Sequence, residues 1–207
     1  MSSLDELINK ARLLHSEGRS TSQISDELSL SAETVTWLLT REKSGGDVPR
    51  DVLIDWSSIS CDSNNLCLAA SMMAQRFYFA REQAGLSEEE GSGFPDVVIG
   101  IAHSGIPLAT LIAGNEGAMF AMYHPKKHAQ GDSPSGSLNS SFAGVSNRSC
   151  LIVDDVVTTG NTITEAIEYI RKHGGEPVGI LVLFDKRGLK EIGGVPLYSL
   201  VKVERID

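Results

Sequence analysis

Residues 150–155 read Cys-Leu-Ile-Val-Asp-Asp, and the chain runs on through Val-Val-Thr-Thr-Gly-Asn to Thr162. A short apolar run ends in two carboxylates. A Thr/Gly turn follows, and then Ile163, Ala166, Ile167 and Ile170 stand at helical spacing. This is a strand, a turn and a helix in succession. A strand apolar on both faces has to be covered on both, which points to a parallel sheet between helix layers. In such sheets ligands bind beyond the carboxyl ends of the strands, where this turn falls.

The same grammar extends along much of the chain. DVLIDW at 51–56 reads as a strand. Residues 63–84 read as a helix, with Leu66, Ala69, Ala70, Met73 and Phe77 on one side. DVVIG at 96–100 is a buried strand, and Pro107 opens a helix at a favoured early position. MFAMY and VGILVLFD are further strands, and Gly174-Gly175 stops the helix between the 150–155 run and VGILVLFD. Residues 129–147 are rich in Gly, Ser and Asn and are expected to be mobile. The fold class is α/β: a mainly parallel sheet flanked by helices, preceded by a small all-α domain.

That all-α domain occupies residues 1–43. Leu4, Leu7, Ile8, Ala11 and Leu14 share a helical face, and Gly18 ends the helix. Ser20 and Gln23 form a capping box for a second helix lined by Ile24 and Leu28. After Leu28-Ser29-Leu30, Ser31 caps a third helix with Val35, Leu38 and Leu39 inward. Residues 44–51, SGGDVPRD, have linker composition, so the second domain spans 52–207.

The 207 residues carry 18 basic and 27 acidic side chains, for a net charge of −9. That argues against a protein that coats nucleic acid or membranes by bulk attraction, though not against a small local DNA-reading surface. Three cysteines without a CxxC pair argue against a zinc ribbon and for a reducing compartment. No stretch has 18 uninterrupted apolar residues, and a cytoplasmic protein without a membrane partner is expected.

The chemistry concentrates at the 150–162 segment. Amides and hydroxyls of Thr158, Thr159, Gly160, Asn161 and Thr162 face the positive end of a helix, which suits a phosphate monoester. Asp154 and Asp155 can accept hydrogen bonds from vicinal sugar hydroxyls, or hold a divalent cation through water. A second strand-to-helix turn, Gly100-Ile-Ala-His-Ser-Gly-Ile-Pro-Leu-Ala109, has amides that can cradle a diphosphate. His103 is either over that diphosphate or a surface turn residue.

The apolar–Asp-Asp–x-x–Thr-Thr-Gly-x-Thr run resembles the 5-phosphoribosyl-1-diphosphate (PRPP) motif of type I phosphoribosyltransferases. The turn through Ala102, His103, Ser104 and Gly105 resembles their pyrophosphate loop, which places a cis peptide at Ala102–His103. Asp185-Lys186-Arg187 falls near the site by the same resemblance. It implies PRPP or a related phosphorylated sugar as ligand, with Mg²⁺ arriving only with that ligand and no direct protein metal site. In the orotate branch a mobile loop reads Arg-Lys-x-x-Lys-x-His-Gly. Here it reads His124-Pro-Lys-Lys-His-Ala-Gln-Gly131. Lys126, Lys127 and His128 keep positive charge there, but the enzyme pattern is broken. Cations that stabilise a leaving diphosphate act on rate, so a chain without them keeps binding better than catalysis. No catalytic residue is assigned. An active orotate-type transferase remains the alternative.

Residues 4–42 resemble a helix-turn-helix DNA-binding module, whose second helix enters the major groove. Ser31, Glu33, Thr34, Thr36, Trp37 and Arg41 are the contact candidates that resemblance implies, all expected on the outer face. The pairing of such a module with a phosphoribosyltransferase-like domain resembles an archaeal family of orotate phosphoribosyltransferase-like transcriptional regulators. Membership implies a homodimer, an inverted-repeat DNA target and a metabolite sensed by the second domain.

Overall fold

The computed structural model describes residues 4–40, 49, 51–85, 93–128 and 136–204. The chain divides into two compact units, 1–55 and 56–207.

The first unit is three helices: α1 (Leu4–Ser16), α2 (Thr21–Leu28) and α3 (Ala32–Thr40). Ile8, Ala11, Leu14, Ile24, Leu28, Leu30, Val35 and Leu38 form its core, with Leu7, Trp37 and Leu39 packed at the margin. Leu4, expected on the inner face, is 45% exposed, because the first turn of α1 projects past that core. The α2 start is the capping box read from the sequence. The Gln23 amide donates to Ser20 Oγ at 3.3 Å, and the Ser20 amide to Gln23 Oε1 at 2.9 Å. Ser29 takes a left-handed conformation, φ 51°, between α2 and α3.

The second unit is a seven-stranded sheet between helices. Its elements are α4 (Ser57–Ser60), α5 (Ser63–Gln83), β1 (Val97–Ile101), α6 (Gly105–Glu116), β2 (Met119–His124), β3 (Ser137–Leu138), β4 (Ser149–Val157), α7 (Asn161–Lys172), β5 (Glu176–Asp185), β6 (Glu191–Ile192) and β7 (Val195–Lys202). The strand order is β3-β2-β1-β4-β5-β7-β6. β2, β1, β4, β5 and β7 run parallel, and only the short margins β3 and β6 are antiparallel. β1 and β4 are central and buried on both faces, as the apolar runs Val97–Ile101 and Cys150–Val153 require. Ile152 faces Ile163, Ile167 and Ile170 of α7, and Leu151 faces Met73, Phe77, Leu108 and Ile112 of α5 and α6.

Two expectations need correction. Residues 51–56 are not a strand: they join none of the sheet's ladders, and Ser57–Ser60 turns into a short helix instead. The Asp51 carboxylate accepts from the Ser31 and Val52 amides, so side-chain chemistry replaces a ladder there. Part of the 136–147 stretch is held against the sheet. Ser137–Leu138 pairs with β2, the Ala143 amide donates to the Phe120 carbonyl, and Val145 is buried. The remainder of the 129–147 segment lies outside the described residues, as do Arg41 and most of the 44–51 linker. The β6–β7 hairpin, which closes on Gly193 and Gly194 at φ 58° and 77°, was not read from the sequence at all.

Candidate functional site

The site forms where β4 gives way to α7. Gly160 sits at the start of α7 with φ 81°, a conformation that strains any side chain, and residues 158–162 wrap the first turn of the helix. The Thr164 hydroxyl and amide both bond the Gly160 carbonyl. The N–H groups before them point out from the helix start, an arrangement complementary to an anion.

Asp154 and Asp155 stand in β4, a few residues upstream. Asp154 Oδ1 accepts from the Asp155 amide at 2.9 Å, and Asp155 Oδ1 from the Val156 amide at 2.8 Å. The Trp56 side chain also donates to Asp155. Burial pushes the Asp154 carboxyl well above the usual carboxylate range, the charge of Asp155 adds to this, and Lys127 opposes it. Asp155 is raised as well, chiefly by burial, against the bonds from Val156 and Trp56. Two carboxylates whose charge the surroundings disfavour are suited to a partner that brings hydroxyl donors or a cation.

The second loop meets the first directly. The Ala102–His103 peptide is cis, and α6 begins at Gly105 immediately after it. A methyl at Gly105 would collide with the Val153 carbonyl and come to 3.0 Å from the Asp154 Cα. Glycine is therefore what lets Ala102, His103, Ser104 and Gly105 close against the strand that carries the carboxylates. Asp185, fully buried at the end of β5, accepts from the Arg187 and Gly188 amides at 2.8 and 3.0 Å, which turns the following segment over the cradle. Ile192 and Leu189 approach Gly160 from that side.

Lys126 and Lys127 fall in a single 3₁₀ turn, Lys126–His128, after β2. Lys127 Nζ donates to Thr162 Oγ1 at 2.7 Å, which brings a cation to the phosphate turn. The Lys126 amide donates to Glu165 Oε1 at 2.8 Å, and the same oxygen accepts from the Tyr123 hydroxyl at 2.9 Å. Burial, then Glu165, raises the Tyr123 hydroxyl well above its ordinary range. Sequence reasoning missed Trp56, Tyr123 and Glu165. No local pattern marks them, because their partners are tens of residues away.

Of the residues expected to face DNA, Glu33 and Thr36 are exposed and Ser31 and Trp37 are half-buried. Thr34 is a correction. It is only 8% exposed, because its hydroxyl is drawn inward to Ser31 Oγ and to Asp51 Oδ2 at 3.0 Å. Trp37 packs against the helical core.

The sheet order, the two strand-to-helix turns and the paired carboxylates define the class: a phosphoribosyl transferase-type domain attached to a small helical unit. Residues 80–192 match the family model for the phosphoribosyl transferase domain. The fold is similar to that of orotate phosphoribosyltransferase from Aeropyrum pernix, with TM-score 0.57 and 22% identity over 77% of this chain and 83% of that one. It is also similar to the orotate phosphoribosyltransferase of Mycobacterium tuberculosis H37Rv solved with PRPP, with TM-score 0.52 and 21% identity over 72% and 80% of the two chains. Along its entire length the chain is 54% identical to the transcriptional regulator GfcR of Methanocorpusculum labreanum, and 54% identical to GfcR of Methanospirillum hungatei JF-1, each also covered completely. The chain belongs to this phosphoribosyl transferase-domain family of transcriptional regulators. Among the described residues no helix is long and apolar enough to cross a membrane.

Proposed function

We infer that the protein is a DNA-binding transcriptional regulator whose second unit binds PRPP, or a related phosphorylated sugar, as an effector rather than as a substrate. The observation that carries this reading is the full-length match to regulators in a chain that keeps the phosphate turn and the paired carboxylates. The 124–131 segment meanwhile departs from the enzyme pattern. The 5′-phosphate sits at residues 158–162, the ribose hydroxyls at Asp154 and Asp155, and a diphosphate at residues 102–105. The hard oxygen donors of Asp154 and Asp155 fit Mg²⁺ through water, and the ion would neutralise diphosphate charge when it comes with the ligand. A homodimer formed through residues 50–207 presents two copies of α3 to an inverted repeat, with half-sites about one helical turn apart or a multiple of it. Glu33 and Thr36 stand on the outward face of α3 as contact residues.

The test has two arms. Selection from a random duplex library at about 0.1–0.15 M salt, where long-range charge attraction is screened, is expected to enrich an inverted repeat. Calorimetry with PRPP and Mg²⁺ is expected to show binding that the double variant Asp154→Asn, Asp155→Asn weakens, since each charge-assisted bond is worth ~1.5–3 kcal/mol. Diphosphate release from PRPP with a panel of nucleobases, together with no enriched duplex, would replace this reading with the transferase alternative.

A further inference from the structure

Two consecutive residues of the 126–128 turn are tied to α7. The Lys126 amide donates to Glu165 Oε1 at 2.8 Å, and Lys127 Nζ donates to Thr162 Oγ1 at 2.7 Å. Thr162 and Glu165 stand three residues apart in α7 and so share a face of it. The same Glu165 oxygen accepts from the Tyr123 hydroxyl at 2.9 Å, and Tyr123 is buried in β2, so the acceptor is itself held by the core. Pro125, which joins β2 to the turn, is buried as well. A backbone bond to α7 thus sets where the next side chain reaches, and it reaches the first turn of the same helix. The charge of Lys127 is also felt at Asp154. By contrast, the other strand-to-helix turn and α6 as far as Asn115, residues 100–115, contain no lysine or arginine.

An oxygen bonded to the Thr162 hydroxyl at an ordinary ~2.7–2.8 Å lies beside the ammonium already there. The hydroxyl that now accepts from Lys127 can turn to donate, and the ammonium can then donate to the same phosphate group as a compact point charge. We propose that Lys127 is a ligand of the effector's 5′-phosphate, set in place by Glu165, so that the positive charge of this loop acts at the monophosphate end of the site instead of at the diphosphate. This rests on the reading of residues 158–162 as the phosphate cradle. It adds a ligand class: a sugar 5-phosphate that lacks a diphosphate still carries the group that the lysine recognises. Lys127 touches the ligand in this scheme, and Glu165 is a positioning residue that acts through the 126–128 turn.

The experiment is calorimetry on the full chain with two probes in turn, ribose 5-phosphate and inorganic diphosphate with Mg²⁺. Lys127→Met is expected to weaken ribose 5-phosphate about 10-fold or more, the loss of one charge-assisted bond, and to leave diphosphate affinity unchanged. Lys127→Arg keeps the charge and should retain most of the affinity. Glu165→Ala removes a negative charge beside an anion site, so by charge alone it should tighten binding. A positioning role predicts the opposite: weaker ribose 5-phosphate binding, restored in Glu165→Gln, which keeps an oxygen acceptor. With Lys127→Met already present, Glu165→Ala should weaken binding no further, a non-additivity that a merely structural role would not produce. Unchanged ribose 5-phosphate affinity in Lys127→Met overturns the proposal, as does an equal loss for both probes or a loss with diphosphate alone. Tighter binding in Glu165→Ala overturns the positioning role. A wild type that binds neither probe removes the effector reading itself, and this inference with it.

Discussion

Asp154 carries a stability cost that its neutral isostere would lack. Its carboxyl is raised above the ordinary 3.8 by burial and by Asp155, so the folded chain binds that proton more readily than the unfolded chain does. Below about pH 4 the group is neutral in both states and costs nothing. As pH rises from there through the elevated folded value, the unfolded state ionises first and stability falls. Asp154→Asn should therefore raise the melting temperature at neutral pH, with the gain disappearing in acid, as thermal scans at several pH values would read. The same substitution should weaken PRPP binding about 10-fold or more, the worth of one charge-assisted hydrogen bond. A gain in stability with a loss of ligand separates a binding residue from a structural one, since a structural residue would lose both. The motif around Asp154 is legible in the sequence because the carboxylates, the turn and the helix start are contiguous. The cation at Thr162 is not, since Lys127 reaches it across 35 positions, and the Trp56 bond to Asp155 is more distant still.

At the level of elements, the connection between β2 and α7 is a clasp built on Tyr123 and Glu165. Glu165 holds the Lys126 amide on one side, and Gly136 lies against the pair on the other. A methyl at Gly136 would collide with the Tyr123 hydroxyl and with the Glu165 carboxylate, so the hydrogen-bonded pair would have to shift to admit it. Gly136→Ala should cost about 1–3 kcal/mol, the usual penalty for overfilling a packed site, and chemical denaturation would measure it. Tyr123→Phe leaves the Lys126 bond to Glu165 intact and should cost only about 0.5–1.5 kcal/mol. The reverse order would mean that the hydrogen bond, and not the close packing, holds the clasp. Elements differ in legibility for comparable physical reasons. The buried strands 97–101 and 149–157 announce themselves by apolar runs, and α2 by its self-contained capping box. The segment 51–56 has strand-like composition, but its Asp51 is engaged with α3, a contact that alternation does not encode. The hairpin at 191–202 hides behind Pro196 and an exposed outer face, although the Gly193-Gly194 pair between Ile192 and Val195 is the turn signal that would have found it.

For the whole molecule, charge sets the terms on which the proposed DNA binding works. The net charge is −9, and residues 1–43 hold five Lys/Arg against seven Asp/Glu. Arg19 is already engaged with Glu27 at 3.0 Å and Glu17 at 3.8 Å. Few cations per helical unit are left to neutralise phosphates, so binding by the proposed dimer has to draw on fit and on its two half-sites rather than on counterion release. A protein that makes 6–10 phosphate contacts loses about 10³–10⁵ in affinity between 50 and 200 mM salt. With two or three contacts the same change in salt should cost this chain only about 10- to 50-fold. Affinity for unselected duplex should be correspondingly poor. Fluorescence anisotropy with selected and scrambled duplexes, at both salt concentrations, measures both quantities. A loss as large as 10³-fold would mean about six phosphate contacts, at least twice the number expected, and would overturn the reading that fit rather than counterion release carries the binding.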